Sequence, residues 1–199
     1  MPTPGSHYRE QQRPIRARLR GSVGMRCVLA FIVVCGVSRA LEAQSVEEHE
    51  AKAVFVLRLI NFVQWPAANN SRNANLVIGI IGTDATSDAL QRLASGKSID
   101  GREIVVRRLN PESDFSACQV VFIGASERNH TSSLLERIRG GSVLTVGESD
   151  GFGQRGGIVN LVLDEGRIHL EVNARAAERA HLQISSRLMS LATIVSDGT

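Results

Sequence analysis

The segment Gly151-Phe152-Gly153-Gln154-Arg155-Gly156 spaces its glycines as a dinucleotide-binding loop does. Such a loop works where it joins a strand to a helix, whose N-terminal amides then hold a pyrophosphate. Here Gly157 and a strand-like run, Ile158 to Leu163, come next, so the context is wrong. The glycines read instead as a tight connection needing backbone angles that other residues avoid. Gly79-Ile80-Ile81-Gly82-Thr83 does sit between a strand and a helix, but it lacks a third glycine and a basic residue for phosphate. His169 and Glu171 alternate on one strand and share a face, with Asn173 beyond. A metal would need a third converging ligand, and His49, His130 and His181 are scattered. Cys118 stands at the head of the apolar run Val120 to Ile123, where a reactive thiolate is disfavoured. Gly124-Ala125-Ser126-Glu127-Arg128 breaks the serine-nucleophile pattern at its last position. No catalytic residue, metal or cofactor is assigned, and the chain reads as a non-enzyme.

Three residues read as candidate contacts for a partner. Trp65, beside Pro66 at a helix end, is either core or an interface anchor, since tryptophan is enriched at interface centres. Phe152 and Arg155 lie on the glycine-rich connection; Phe152 either meets a partner or plugs its own loop.

The elements that carry these residues alternate. Residues 46–64 place apolar side chains three and four apart, an amphipathic helix closed by Pro66. Leu76 to Gly82, Gln119 to Gly124 and Ser142 to Gly147 are continuous apolar runs, read as strands covered on both faces. Helices are predicted from about Thr86 to Ala94 and Ser132 to Arg139, with a half-wet strand at Glu103 to Leu109. Ile158–Leu163 and Arg167–Val172 form a hairpin about Asp164-Glu165-Gly166. Helices at Ala174–Ala180 and Ser185–Val195 close the chain. The expected fold is α/β: a single domain with a mixed, mostly parallel sheet flanked by helices, then a C-terminal β-hairpin and helices.

Residues 1–43 read as an N-terminal extension and signal peptide, and 44–199 as the working domain. Met25-Arg26 precedes an apolar run, Cys27 to Val37, too short to span a bilayer, with small residues and cleavage points after Ala40 or Ala43. Either Met1 or Met25 is the start. Residues 1–43 hold seven of the 23 basic residues but only two of the 20 acidic ones, so the remainder is slightly acidic. Nucleic-acid binding, which needs a basic surface, is thereby disfavoured. Once the leader is removed, Cys118 is the one thiol left, either buried or bridging two molecules.

Ala51-Lys52-Ala53-Val54-Phe55 through Asn61-Phe62-Val63-Gln64-Trp65-Pro66 resembles the opening signature of the YfiR-like family of bacterial periplasmic proteins. In order, Lys97-Ser98-Ile99-Asp100-Gly101-Arg102, Cys118-Gln119-Val120-Val121-Phe122-Ile123-Gly124, Gly156-Gly157-Ile158-Val159-Asn160 and Ser186-Arg187-Leu188-Met189-Ser190-Leu191-Ala192 are similar to later family segments. The resemblance implies an α/β fold, a periplasmic location and often a homodimer. It also implies a repressor role, binding the periplasmic domain of an inner-membrane diguanylate cyclase so that cyclic di-GMP stays low and biofilm formation is restrained. Cys118 matches the family's strand cysteine without a second cysteine in the mature chain, which leaves an intermolecular disulfide as its redox option. The alternative is a periplasmic sensor that binds a small ligand.

Overall fold

A computed structural model describes residues 45–67 and 75–198, all within the compact unit Gln44–Thr199. The leader reading of residues 1–43 and most of the polar loop after Ala67 lie outside the described residues.

Helix α1 covers residues 45–59 and tightens into a 3-10 turn at Ile60–Phe62. Strand β1 (Val63–Gln64) follows and pairs antiparallel with β9 (Gln183–Ile184), so the helix exit is tied to the C-terminal region. The main sheet comprises β2 (Leu76–Ile81), β3 (Ser98–Ile99), β4 (Arg102–Leu109), β5 (Val120–Ile123), β6 (Leu144–Gly147), β7 (Val159–Asp164), β8 (Arg167–Asn173) and β10 (Thr193–Val195). Its order is β10-β8-β7-β6-β5-β2-β4-β3. Only the β7–β8 and β3–β4 pairs are antiparallel. The mixed, mostly parallel α/β sheet expected from the sequence is therefore present.

Helix α2 (Ala85–Ala94) links β2 to β4, α3 (Thr131–Ile138) links β5 to β6, and α4 (Ala174–Arg179) follows β8. Alternation in the strands makes two cores. Ile78, Ile80, Val120, Phe122, Leu144 and Val146 point to the face covered by α1, α2 and α4. Ile81, Val121 and Ile123 point the other way, against Leu134, Leu135 and Ile138 of α3. A strand buried on both faces must be apolar throughout, as β5 is.

The C-terminus departs from the expected helix over Ser185–Val195. Only Ser186–Met189 is helical (α5), capped by the Ser185 side chain. Thr193, Ile194 and Val195 instead form β10, parallel to β8. The β-branched run suits a strand, and the free edge of β8 supplies hydrogen-bonding partners that four more helical residues would have lacked.

Candidate functional site

Connections from β2 and β5 run in opposite directions: α2 carries the chain to β4 on one side, α3 to β6 on the other. In open α/β sheets the crevice beyond the strand ends at such a reversal is the usual place for a ligand. Here this chain's own side chains bridge the gap between β2 and β5. Asp84 caps α2 by accepting from Ser87 N–H (2.9 Å) and also accepts from the Ser126 hydroxyl (3.1 Å). Burial pushes the Asp84 carboxyl up, but the hydrogen bonds from Ser87 and Ser126 outweigh it and hold its pKa below the ordinary value. A Cβ on Gly124 would stand 1.9 Å from Asp84 Oδ2, so the close approach requires glycine.

Beside this bridge, at the end of β6, lies Glu148, whose side chain is only 3% exposed. Its Oε2 accepts from Lys52 Nζ of α1 (3.1 Å) and from Thr86 Oγ1 at the start of α2 (3.0 Å); its Oε1 lies 3.4 Å from Ala125 N–H. With its one proton directed to the carboxylate, Thr86 Oγ1 accepts from His49 Nδ1 at 2.8 Å. Lys52 Nζ also meets Glu48 at 2.7 Å. Burial works against the Lys52 ammonium, but Glu48 and Glu148 outweigh it and raise its pKa. Burial is the larger influence on Glu148 too; it raises the pKa against the pull of Lys52, and Asp84 adds repulsion. One cation thus serves two carboxylates, Glu48 and Glu148, and Glu148 is the one pushed toward its neutral form.

The connection after β6 is a wound turn. Phe152, fully buried, seats its ring between Gly147 and Gly157, where a Cβ would come within 2.4 and 2.1 Å of the ring. Arg155 N–H donates to Gly151 O (3.1 Å), and Arg155 Nη2 donates to Ser149 Oγ (3.0 Å). Arg155 Nε is buried with no protein partner. Arg155, Ser149, Asp150, Arg128, Asn129 and Glu148 line a cavity of about 280 Å³ at the ends of β5 and β6.

The family model for YfiR/HmsC-like proteins (DUF4154) matches residues 49–193. The chain belongs to the YfiR/HmsC-like family. That family is periplasmic and regulatory rather than catalytic. No curated protein matches the chain. Among solved structures, a conserved domain protein from Vibrio cholerae superposes with a TM-score of 0.52 at 14% identity, over 73% of this chain and 59% of that one. An ABC domain in complex with L-Trp from Streptococcus pneumonia gives 0.45 at 8% identity, over 60% and 55%. The chain thus spans less than two thirds of the length of either. The Vibrio likeness concerns the fold alone.

The sequence-derived contact residues of this YfiR/HmsC-like chain are separated. Trp65 is buried (8% exposed), and its Nε1–H donates to Gln119 O (3.2 Å) just before β5. That places it at the opposite end of the sheet from Arg155 and Phe152. Phe152 is wholly internal, whereas Arg155 lines the cavity. Cys118 is 3% exposed, and burial pushes its thiol up. His169 is exposed, and Glu171 accepts from Asn160 of β7 (3.0 Å). Among the described residues no helix is long and apolar enough to cross a membrane.

Asp84 was expected as a cap of the helix near Thr86, as it is, but Lys52, Glu148 and Thr86 escaped sequence reasoning. One signal was available: Lys52 falls on the apolar stripe of α1, one turn before Val56, where a charge needs a partner.

Proposed function

We propose that this chain is an exported regulatory binding protein that represses an inner-membrane diguanylate cyclase, or a related sensor, by holding that protein's periplasmic domain in its inactive state. In this reading residues 1–43 are the leader and 44–199 the working domain. The family match over residues 49–193 carries the reading. At the strand ends Lys52 pairs with Glu148 and Asp84 accepts from the Ser126 hydroxyl, so these groups hold the sheet mouth together. Repression needs only a difference in affinity for two states of the partner. Moving a partner from mostly active to mostly inactive takes a preference of about 10⁴-fold, about 5.5 kcal/mol.

Deleting the gene and measuring cyclic di-GMP tests the proposal. The level is expected to rise and to return when the full chain is restored. An unchanged level removes the cyclase as the target. A ligand-sensing role stands as a second reading, favoured by the cavity of about 280 Å³ at the ends of β5 and β6.

A further inference from the structure

We infer that the outer edge of β4, over Val105–Leu109, docks an extended, acidic segment of a partner protein as one more strand of the sheet, with Arg107 as the selecting side chain. This goes beyond the repression reading and does not depend on it.

The main chain dictates what fits. Along its inner edge β4 pairs with β2 over six residues, from Leu76↔Ile104 to Ile81↔Leu109. On the outer edge β3 covers only Arg102 and Glu103, and the last bond of that hairpin runs from Ile104 N–H to Lys97 O (2.8 Å). Main-chain groups alternate in direction along a strand, so Val106 and Arg108 face outward as Ile104 does. Among the described residues no strand lies beside them. Such a row is a template for another chain, and natural edges are blunted by shortness, proline, a bulge or charge. Here neither proline nor bulge interrupts Val105–Leu109, about 16 Å of edge. The opposite edge of the sheet, β10, offers three residues.

Side chains select the partner. Arg107 and Arg108 are the only charges in this stretch. Arg108 is held on the α2 side by Asp88, Gln91 and Gly82 O. Arg107 is exposed on the other face, in line with Val105 and Leu109, and makes no ion pair among the described residues. Glu103, on that same face of the strand, stands four residues back, about 13 Å away. A second copy of this chain is a poor occupant. A two-fold axis centred on the stretch sets Arg107 opposite or diagonal to its own copy, where like charges repel. A carboxylate on a partner strand beside Arg107 gains a cross-strand ion pair instead, and apolar neighbours cover Val105 and Leu109.

The test titrates the purified full chain with two blocked peptides, Val-Glu-Val-Glu-Val-Glu and Val-Lys-Val-Lys-Val-Lys, and follows the backbone amides by NMR. The acidic peptide is expected to give saturable shifts and slowed exchange centred on the Val106 and Arg108 amides. The basic peptide should bind at least about threefold more weakly. N-methylation of alternate residues along the pairing edge of the acidic peptide should weaken it at least about tenfold. Arg107→Glu, at an exposed position, should reverse the preference between the two peptides and leave the melting temperature unchanged. No saturable shift below roughly 10 mM, shifts centred on β10, equal binding of the two peptides, indifference to N-methylation, or an unaltered preference in Arg107→Glu overturns the inference. Each of these failures leaves the cyclic di-GMP result of the deletion standing, so the two readings fall separately.

Discussion

Replacing Lys52 by methionine isolates the electrostatics at the sheet mouth. The stem's apolar contacts are largely kept and the ammonium is lost. Glu148, 3% exposed, then keeps Thr86 Oγ1 and the distant Ala125 N–H but no cation in contact. Removing one partner of a buried pair typically costs about 3–5 kcal/mol. The cost here should fall at the lower end, about 3 kcal/mol, because Glu48 can turn toward solvent and Glu148 can take up a proton. A domain of this size loses roughly 2–4 °C per kcal/mol, so the melting temperature should drop on the order of 10 °C. The double variant Lys52→Met with Glu148→Gln removes both charges and retains an acceptor for Thr86; it should recover to within about 1 kcal/mol of the parent.

The pH dependence adds a sign. In the parent, Glu148 already titrates above the ordinary glutamate value of 4.5, so the folded state holds the proton more tightly than the unfolded chain. Such a group contributes most below its unfolded pKa, and the contribution is lost as pH rises through the folded one. Taking away Lys52 moves the folded value higher still, so the variant's deficit should shrink between pH 7 and pH 5. Lys52 itself, raised above 10.5, contributes below that value and loses the contribution only in strong alkali. Urea unfolding followed by the fluorescence of the single tryptophan reads all three proteins. A deficit under about 1 kcal/mol, a double variant no better than the single, or a deficit that grows on acidification would refute the account.

Trp65→Ala separates core from contact: with 8% exposure and a hydrogen bond to Gln119 O, its loss should cost about 3–5 kcal/mol and lower the melting temperature on the order of 10 °C. An unchanged melting temperature with lost co-purification of the membrane partner would make it a contact residue instead. Cys118, buried with its thiol pushed up, should react with a disulfide reagent only after unfolding, and non-reducing gels of the native chain should show monomer. Immediate stoichiometric labelling or a bridged dimer would show that the head of β5 opens in solution.

The sheet was readable because its signals are local. Three unbroken apolar runs became β2, β5 and β6, and the turns at Asp100-Gly101 and Glu165-Gly166 became hairpins with positive φ at both central residues. The C-terminal segment misled because Leu188, Met189 and Ala192 keep a helical spacing while Thr193–Val195 obey the open edge of β8, a tertiary influence that periodicity does not see. The Glu148 cluster was hidden for another reason. Lys52 and Thr86 reach Glu148 from 96 and 62 residues away, so no window along the chain contains the pair. Only the misplaced charge on the apolar face of α1 hinted at it.

The glycine-rich loop shows how one pattern serves two physical ends. A phosphate loop uses glycines so that backbone amides can approach a ligand. Here the approaching group is a side chain of the same protein: Gly147 and Gly157 admit the Phe152 ring, and Gly153 admits Val195 of β10, 2.5 Å from where its Cβ would be. Asn173 completes the clamp, donating to Gly153 O (2.8 Å) and to Asp197 (2.7 Å) while its own oxygen caps α4. The turn is therefore fixed from three sides, and the residue it projects is Arg155. These contacts hold the turn rigidly, and with it the Arg155 guanidinium against Ser149.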